Sequence, residues 1–152
     1  MKIVSFKTAY AKAFYDLNIE WLETSFYVED YDQEVLSKPE YYIIKPGGHI
    51  FFAIENKTVL GTVALLKRGN HKFELTKMAV LPEARGKQVG QKLMQYCIHY
   101  AKEHNFQHLF LYSNKVLANA IHIYKKHGFV EVPLEQPNPY KRSNIKMDYI
   151  FI

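Results

Sequence analysis

The stretch that most constrains what this chain can fold into runs from Glu74 to Leu93, Glu-Leu-Thr-Lys-Met-Ala-Val-Leu-Pro-Glu-Ala-Arg-Gly-Lys-Gln-Val-Gly-Gln-Lys-Leu. Its pattern predicts a strand, a tight turn and the first turns of a helix. A helix start leaves about four backbone N–H groups without intrahelical partners and carries partial positive charge. Such a turn suits a phosphate, and its glycines let the phosphate approach the backbone. A Walker-type loop would need Gly-x-x-x-x-Gly-Lys followed by Ser or Thr, which is absent, and a dinucleotide fingerprint would open a parallel βαβ unit near its start. The anion expected here is therefore phosphate-bearing but is neither a nucleoside triphosphate nor a dinucleotide.

The rest of the chain supplies the frame. Ile3–Phe6 reads as a short strand, and Phe14, Leu17, Ile19, Trp21 and Leu22 recur at helical spacing. The acidic piece Glu29–Leu36 reads as a second helix ending before Pro39. Ile50–Glu55 and Val59–Lys67 form a hairpin turning at Asn56, followed by a strand over Lys72–Leu81. Val89, Leu93, Tyr96, Cys97, Tyr100 and Ala101 make one apolar helical stripe. Leu109–Tyr112 is a short buried strand and Val116–Lys126 a helix capped by Gly128, while Phe129–Val132 and Ile145–Phe151 close the chain as strands. The order βααβββαβαββ predicts a single α+β domain over residues 1–152, a central mixed sheet of about seven strands with helices on both faces.

Composition narrows the function classes. Hydrophobic residues make up 48% and charged residues 23%, ordinary for a globular chain, and the single cysteine excludes an internal disulfide and fits a reducing compartment. No run of 18 apolar residues and no signal-type segment is present, so a soluble cytoplasmic protein with no membrane association is expected. The net charge of +5 favours an anionic ligand, but no DNA or RNA motif accompanies it and no nucleic-acid partner is expected. Seven scattered histidines and the lone Cys97, placed mid-stripe on an apolar helix, offer neither a metal site nor a nucleophile.

The run Met78-Ala79-Val80 followed by Arg85-Gly86-Lys87-Gln88-Val89-Gly90 resembles the acyl-CoA motif of the GNAT superfamily of N-acyltransferases. Ser113-Asn114, Asn119-Ala120, Tyr124-Lys125-Lys126 and Gly128-Phe129 are similar to the same superfamily's second cofactor segment. The later run Tyr140–Met147 resembles a branch found fused to MarR-type regulators. The resemblance implies acetyl-CoA as cofactor and a primary amine of a small molecule or peptide as acceptor, attacked directly in a ternary complex. A homodimer is compatible with it, and a non-catalytic acyl-CoA binding or sensing module is the alternative on the same fold.

Residue by residue, the resemblance implies that the amides from Gln88 to Gln91 grip the pyrophosphate, with Arg85 and Lys87 adding charge. Met78, Ala79 and Val80 would pair with the pantetheine arm as an added strand. Asn114, Asn119 and Lys126 join the cofactor set, and Tyr124 would protonate the leaving thiolate. An alkylammonium has a pKa of about 10.4, so only about one amine in a few thousand is nucleophilic at pH 7, and a base is useful. Glu74, six residues before Val80, shares a face with it if the strand has no bulge, and is the candidate base. Trp21, Phe26, Glu29 and Asn144 are the acceptor candidates, the acidic run attracting a cationic amine. Gln88 stands where the motif usually has glycine. A helical conformation there is expected, in which only the N–H is needed.

Overall fold

The computed structural model describes residues 1–152. Its strands are β1 (Lys2–Ser5), β2 (His49–Glu55), β3 (Thr58–Gly69), β4 (Lys72–Val80), β5 (His108–Ser113), β6 (Phe129–Val132) and β7 (Ile145–Tyr149). The helices are α1 (Ala11–Ser25), α2 (Asp30–Ser37), α3 (Val89–Glu103) and α4 (Ala118–Lys126). One seven-stranded sheet has the order β1-β2-β3-β4-β5-β7-β6. All neighbours are antiparallel except β4 and β5, so the sheet changes sense where the crossover helix α3 enters.

Strand alternation decides which helices cover which face. In β2, Phe51 and Ala53 join the cluster under α3, while Ile50, Phe52 and Ile54 join the one under α1 and α2. The stripe of α3 supplies Val89, Leu93, Met94, Cys97 and Ala101 to the first cluster, and Ile121 of α4 packs there too. Phe14 and Leu22 of α1 and Val35 and Leu36 of α2 fill the second. The sheet is thus sandwiched, with α1 and α2 on one side and α3 and α4 on the other.

Local signals account for most boundaries. The β2–β3 hairpin turns through Asn56 and Lys57, both left-handed at φ 50° and 65°, the twist-matched form of a two-residue turn. Gly128 follows α4 at φ 109°, where a Cβ would come within 2.9 Å of the Tyr149 ring. The sequence reading lacks the single π-helical turn at Glu40–Ile44 and starts α4 two residues early, at Val116 rather than Ala118. The Asn114 carboxamide explains the second difference. Its Oδ1 accepts the Val116 amide at 2.9 Å, so an Asx turn occupies the residues just ahead of the helix.

The feature that matters most is a divergence. β4 and β5 pair only through Lys72–Glu74 against His108–Phe110. Beyond Glu74 the two strands separate, and the β5-facing edge of β4 from Thr76 to Val80 has no strand partner. A bulge contributes. Thr62 pairs with Ala79 and Ala64 with Thr76, so β4 spends an extra residue there, and Lys77 takes φ 56°.

Candidate active site

The divergence opens a cavity of about 350 Å³ that passes through the sheet. Leu117, Ala120 and Tyr124 line it from the α4 side. Asn18, Trp21 and Phe26 of α1 and its end, with Asp32 and Leu36 of α2, line it from the other. Met78, Ala79 and Val80 form one wall and Leu111, Tyr112, Ser113 and Asn114 the other. A gap left by one missing strand, bordered by an unpaired strand edge, is the shape that accepts an extended chain.

At one end of this slot sits the turn into α3. The amides of Gly86, Gln88, Val89, Gly90 and Gln91 donate to no backbone carbonyl, and the first helical bond of α3 is from Lys92 to Gln88 O at 3.0 Å. The turn abuts the slot, since a Cβ on Gly90 would lie 3.4 Å from Met78 Sδ. Gly86 is left-handed at φ 85° and nothing lies within 4 Å of where its Cβ would be, so the backbone there is open to a ligand. Free donors beside a strand-wide slot fit a pyrophosphate carrying a long linear arm.

Gln88 departs from expectation. It is the N-cap of α3 and adopts φ 63°, ψ 21°, left-handed rather than helical. A non-glycine residue there costs on the order of 1 kcal/mol. Gly86 is left-handed as well, so two such residues flank Lys87 in this turn.

The other expected cofactor residues divide. Arg85 lines the slot, but its Nε donates to Val80 O at 3.2 Å and its guanidinium pairs with Glu20 of α1. That leaves Lys87, exposed and unpaired, as the free cation of the turn. Asn114 reaches the slot, but its carboxamide is spent on Arg142 O and Val116 N. Asn119 and Lys126 are exposed on α4 and lie outside the lining.

Tyr124 is in place. Its ring packs edge-on against Phe129 at 6.0 Å, its hydroxyl makes no hydrogen bond within the protein, and burial raises its pKa. A protonated, uncommitted phenol therefore faces the slot at neutral pH.

Glu74 is not where the even offset put it. Val80 packs toward α3, whereas Glu74 points to the α1–α2 face, between Phe73 and Leu75, which face α3. The extra residue at Lys77 reverses the alternation. The buried Glu74 carboxylate accepts from Arg68 Nε at 2.9 Å and from the Tyr140 hydroxyl at 2.8 Å, and it borders a second, separate basin. Both oxygens are engaged, so the side chain is not a free base.

At the far end, Trp21 and Phe26 form an aromatic wall with centroids 5.5 Å apart. Glu29 is not in the lining. It and Asp32 form a reciprocal cap on α2, and both accept from Arg142, at 2.9 Å from Nη1 to Glu29 and 2.7 and 2.8 Å to the two oxygens of Asp32. Two carboxylates of the acidic run are thus tied up within the protein. Asn144 is exposed and serves structure, its Oδ1 accepting the Lys115 amide at 2.8 Å.

One lining residue has no place in the sequence reading. Lys77, at the bulge, enters the slot, and burial brings its pKa down to about 8 against the pull of Glu74 and Asp32. The available signal was the break at Thr76-Lys77, two polar residues in succession after the polar–apolar alternation of Lys72–Leu75.

Comparisons with known proteins agree with this geometry. A family model described as the Acetyltransferase (GNAT) family matches residues 12–129. A crystal structure of a GNAT-family acetyltransferase from Staphylococcus aureus Mu50 superposes with a TM-score of 0.85 at 23% identity, covering 97% of each chain. The PaiA N-acetyltransferase of Thermoplasma acidophilum, solved in complex with coenzyme A, gives 0.71 at 18% identity, covering 99% of this chain and all of that one (100%). Streptothricin acetyltransferase of Streptomyces lavendulae is 37% identical over 60 residues, 40% of this chain and 32% of that protein. The chain spans about a third of the length of such curated relatives. The match to the family model covers most of the fold, from α1 to the first residue of β6, and the free amides, Tyr124 and all of the slot's lining except Tyr140, Arg142 and Ser143 lie within it. The chain therefore belongs to the acetyltransferase (GNAT) family of acyltransferases, whose acetyl donor is acetyl-CoA.

Proposed function

We propose that residues 1–152 form one catalytic unit that transfers an acetyl group from acetyl-CoA to a primary amine of a small molecule or peptide in a soluble, cytoplasmic setting, by direct attack with both reactants bound. The observation that carries this reading is the slot through the sheet. It offers an extended thioester one face and an amine the other, so the reacting atoms meet between β4 and β5.

The residues have distinct tasks. The free amides of the turn into α3, with Lys87, hold the pyrophosphate. The unpaired edge of β4 from Thr76 to Val80 aligns the arm, and Val80 O, already bonded to Arg85, marks where that alignment stops. Tyr124 donates a proton to the departing thiolate. The amine's proton goes to solvent along the open α1–α2 side, since Glu74 is committed to Arg68 and Tyr140.

That commitment is also what favours a second reading, an acyl-CoA sensing module without turnover. Thiol release from acetyl-CoA across amines, aminoglycosides, peptides and polyamines separates the two. The transferase reading expects turnover with some acceptor, a Tyr124→Phe kcat reduced about 100-fold and CoA affinity little changed. Tight CoA binding without thiol release from any acceptor would leave the sensing module standing.

A further inference from the structure

The charges around the acceptor end of the slot are almost all spoken for. Asp32 is the only carboxylate in the lining, and its two oxygens are held by the fork of Arg142 and by the Glu29 amide at 3.0 Å. Arg142 spends both terminal nitrogens on Glu29 and Asp32. Glu74, behind the wall, is closed by Arg68 and Tyr140. Lys77 alone has no hydrogen bond, ion pair or aromatic face within the protein, although it lines the slot. A desolvated ammonium with no direct hydrogen-bonding partner is costly unless a ligand completes it.

We infer that the acceptor carries a carboxylate beside its amine, paired with Lys77 Nζ, so that the substrate class is amino acids rather than polyamines. This rests on the acetyl-transfer reading above. Three further observations point the same way. A polyamine needs surplus negative charge, and Arg142 and Lys77 together balance Glu29 and Asp32, leaving none at this end of the slot. A cation beside the bound amine lowers that amine's pKa, enlarging the nucleophilic fraction where no free carboxylate base is present. The slot's volume of about 350 Å³ must also hold the acetylated tip of the donor, which leaves room for a compact acceptor, its side chain against Trp21 and Phe26. The bulge is what delivers the lysine, since it breaks the alternation of β4 at this residue.

The test is calorimetric titration of the CoA-loaded protein with the L-amino acids, their carboxamides and spermidine, alongside thiol release from acetyl-CoA. At least one amino acid is expected to bind about tenfold or more tightly than its own carboxamide and than spermidine. Lys77→Gln should bring that ratio close to one, and Lys77→Arg should keep most of it, with circular dichroism confirming both variants folded. If CoA binds but no amino acid is preferred over its carboxamide, the carboxylate inference falls and acetyl transfer survives. If CoA itself does not bind, or no amine releases thiol, the acetyl-transfer reading falls. The wild-type ratio decides the matter even where a Lys77 variant misfolds.

Discussion

Lys77 makes a claim that equilibrium stability can check without any ligand. Its folded pKa of about 8 lies below the ordinary 10.5. Below pH 8 both states are protonated and the folded state carries the desolvated charge in full. Between pH 8 and 10.5 the folded state has released a proton that the unfolded state keeps, so stability attributable to this residue rises with pH. Lys77→Met, similar in length and apolar, is expected to raise the thermal midpoint at pH 7 by about 3–6 °C, a gain that shrinks toward pH 10. A variant equally stable or less stable than wild type at pH 7 would show that the ammonium is solvated. Gln88 shows where single-residue reading stops. The motif left two conformations open there, and the choice between left-handed and helical depends on Gly86 and on the path of the turn. Tyr124, by contrast, was legible because helical spacing and motif position both named it.

At the scale of elements, what the sequence hid was register. Every strand and α-helix was visible in apolar periodicity and turn residues, because burial enforces those patterns, while the 3₁₀ turns at Thr8–Tyr10 and Pro82–Ala84 and the π-helical turn were not. A bulge leaves only a faint trace, here the polar pair Thr76-Lys77, and one inserted residue in β4 was enough to send Glu74 to the opposite face from Val80. The role that replaces the expected one is architectural. Glu74 ties β4 to Arg68 on β3 and to Tyr140 in the loop before β7. Glu74→Gln keeps the shape but strands the half-exposed Arg68, and is expected to cost about 2 kcal/mol of stability by urea denaturation. A change confined to turnover, with stability intact, would return Glu74 to the chemistry. The long reach of Arg142 across to α2 was equally hidden, since nothing local links residues 29–32 to residue 142. Side-chain pairing between distant segments has no periodicity to read.

For the whole molecule, the sheet is two smaller sheets held side by side by three residue pairs and the crossover helix. No helix is long and apolar enough to cross a membrane. A ligand lying in the slot touches both halves at once and binds only the folded state. CoA at one hundred times its dissociation constant is expected to add about 2.7 kcal/mol, raising the thermal midpoint by about 5–10 °C. Amide exchange should slow most along Thr76–Val80 and Gly86–Gln91. Protection confined to the turn, with the β4 edge unchanged, would place the arm outside the slot.

That slot is made by backbone, since strands that part company leave a gap whatever side chains they carry. The end proposed for the acceptor is made by side chains, with Trp21, Phe26, Lys77 and Arg142 lining it. Mutations therefore fall unequally on the two halves of the reaction. Substitutions along the walls can remake the acceptor pocket while the donor's seat persists, so a fold of this kind is free to explore new amines without relearning how to hold its acetyl source.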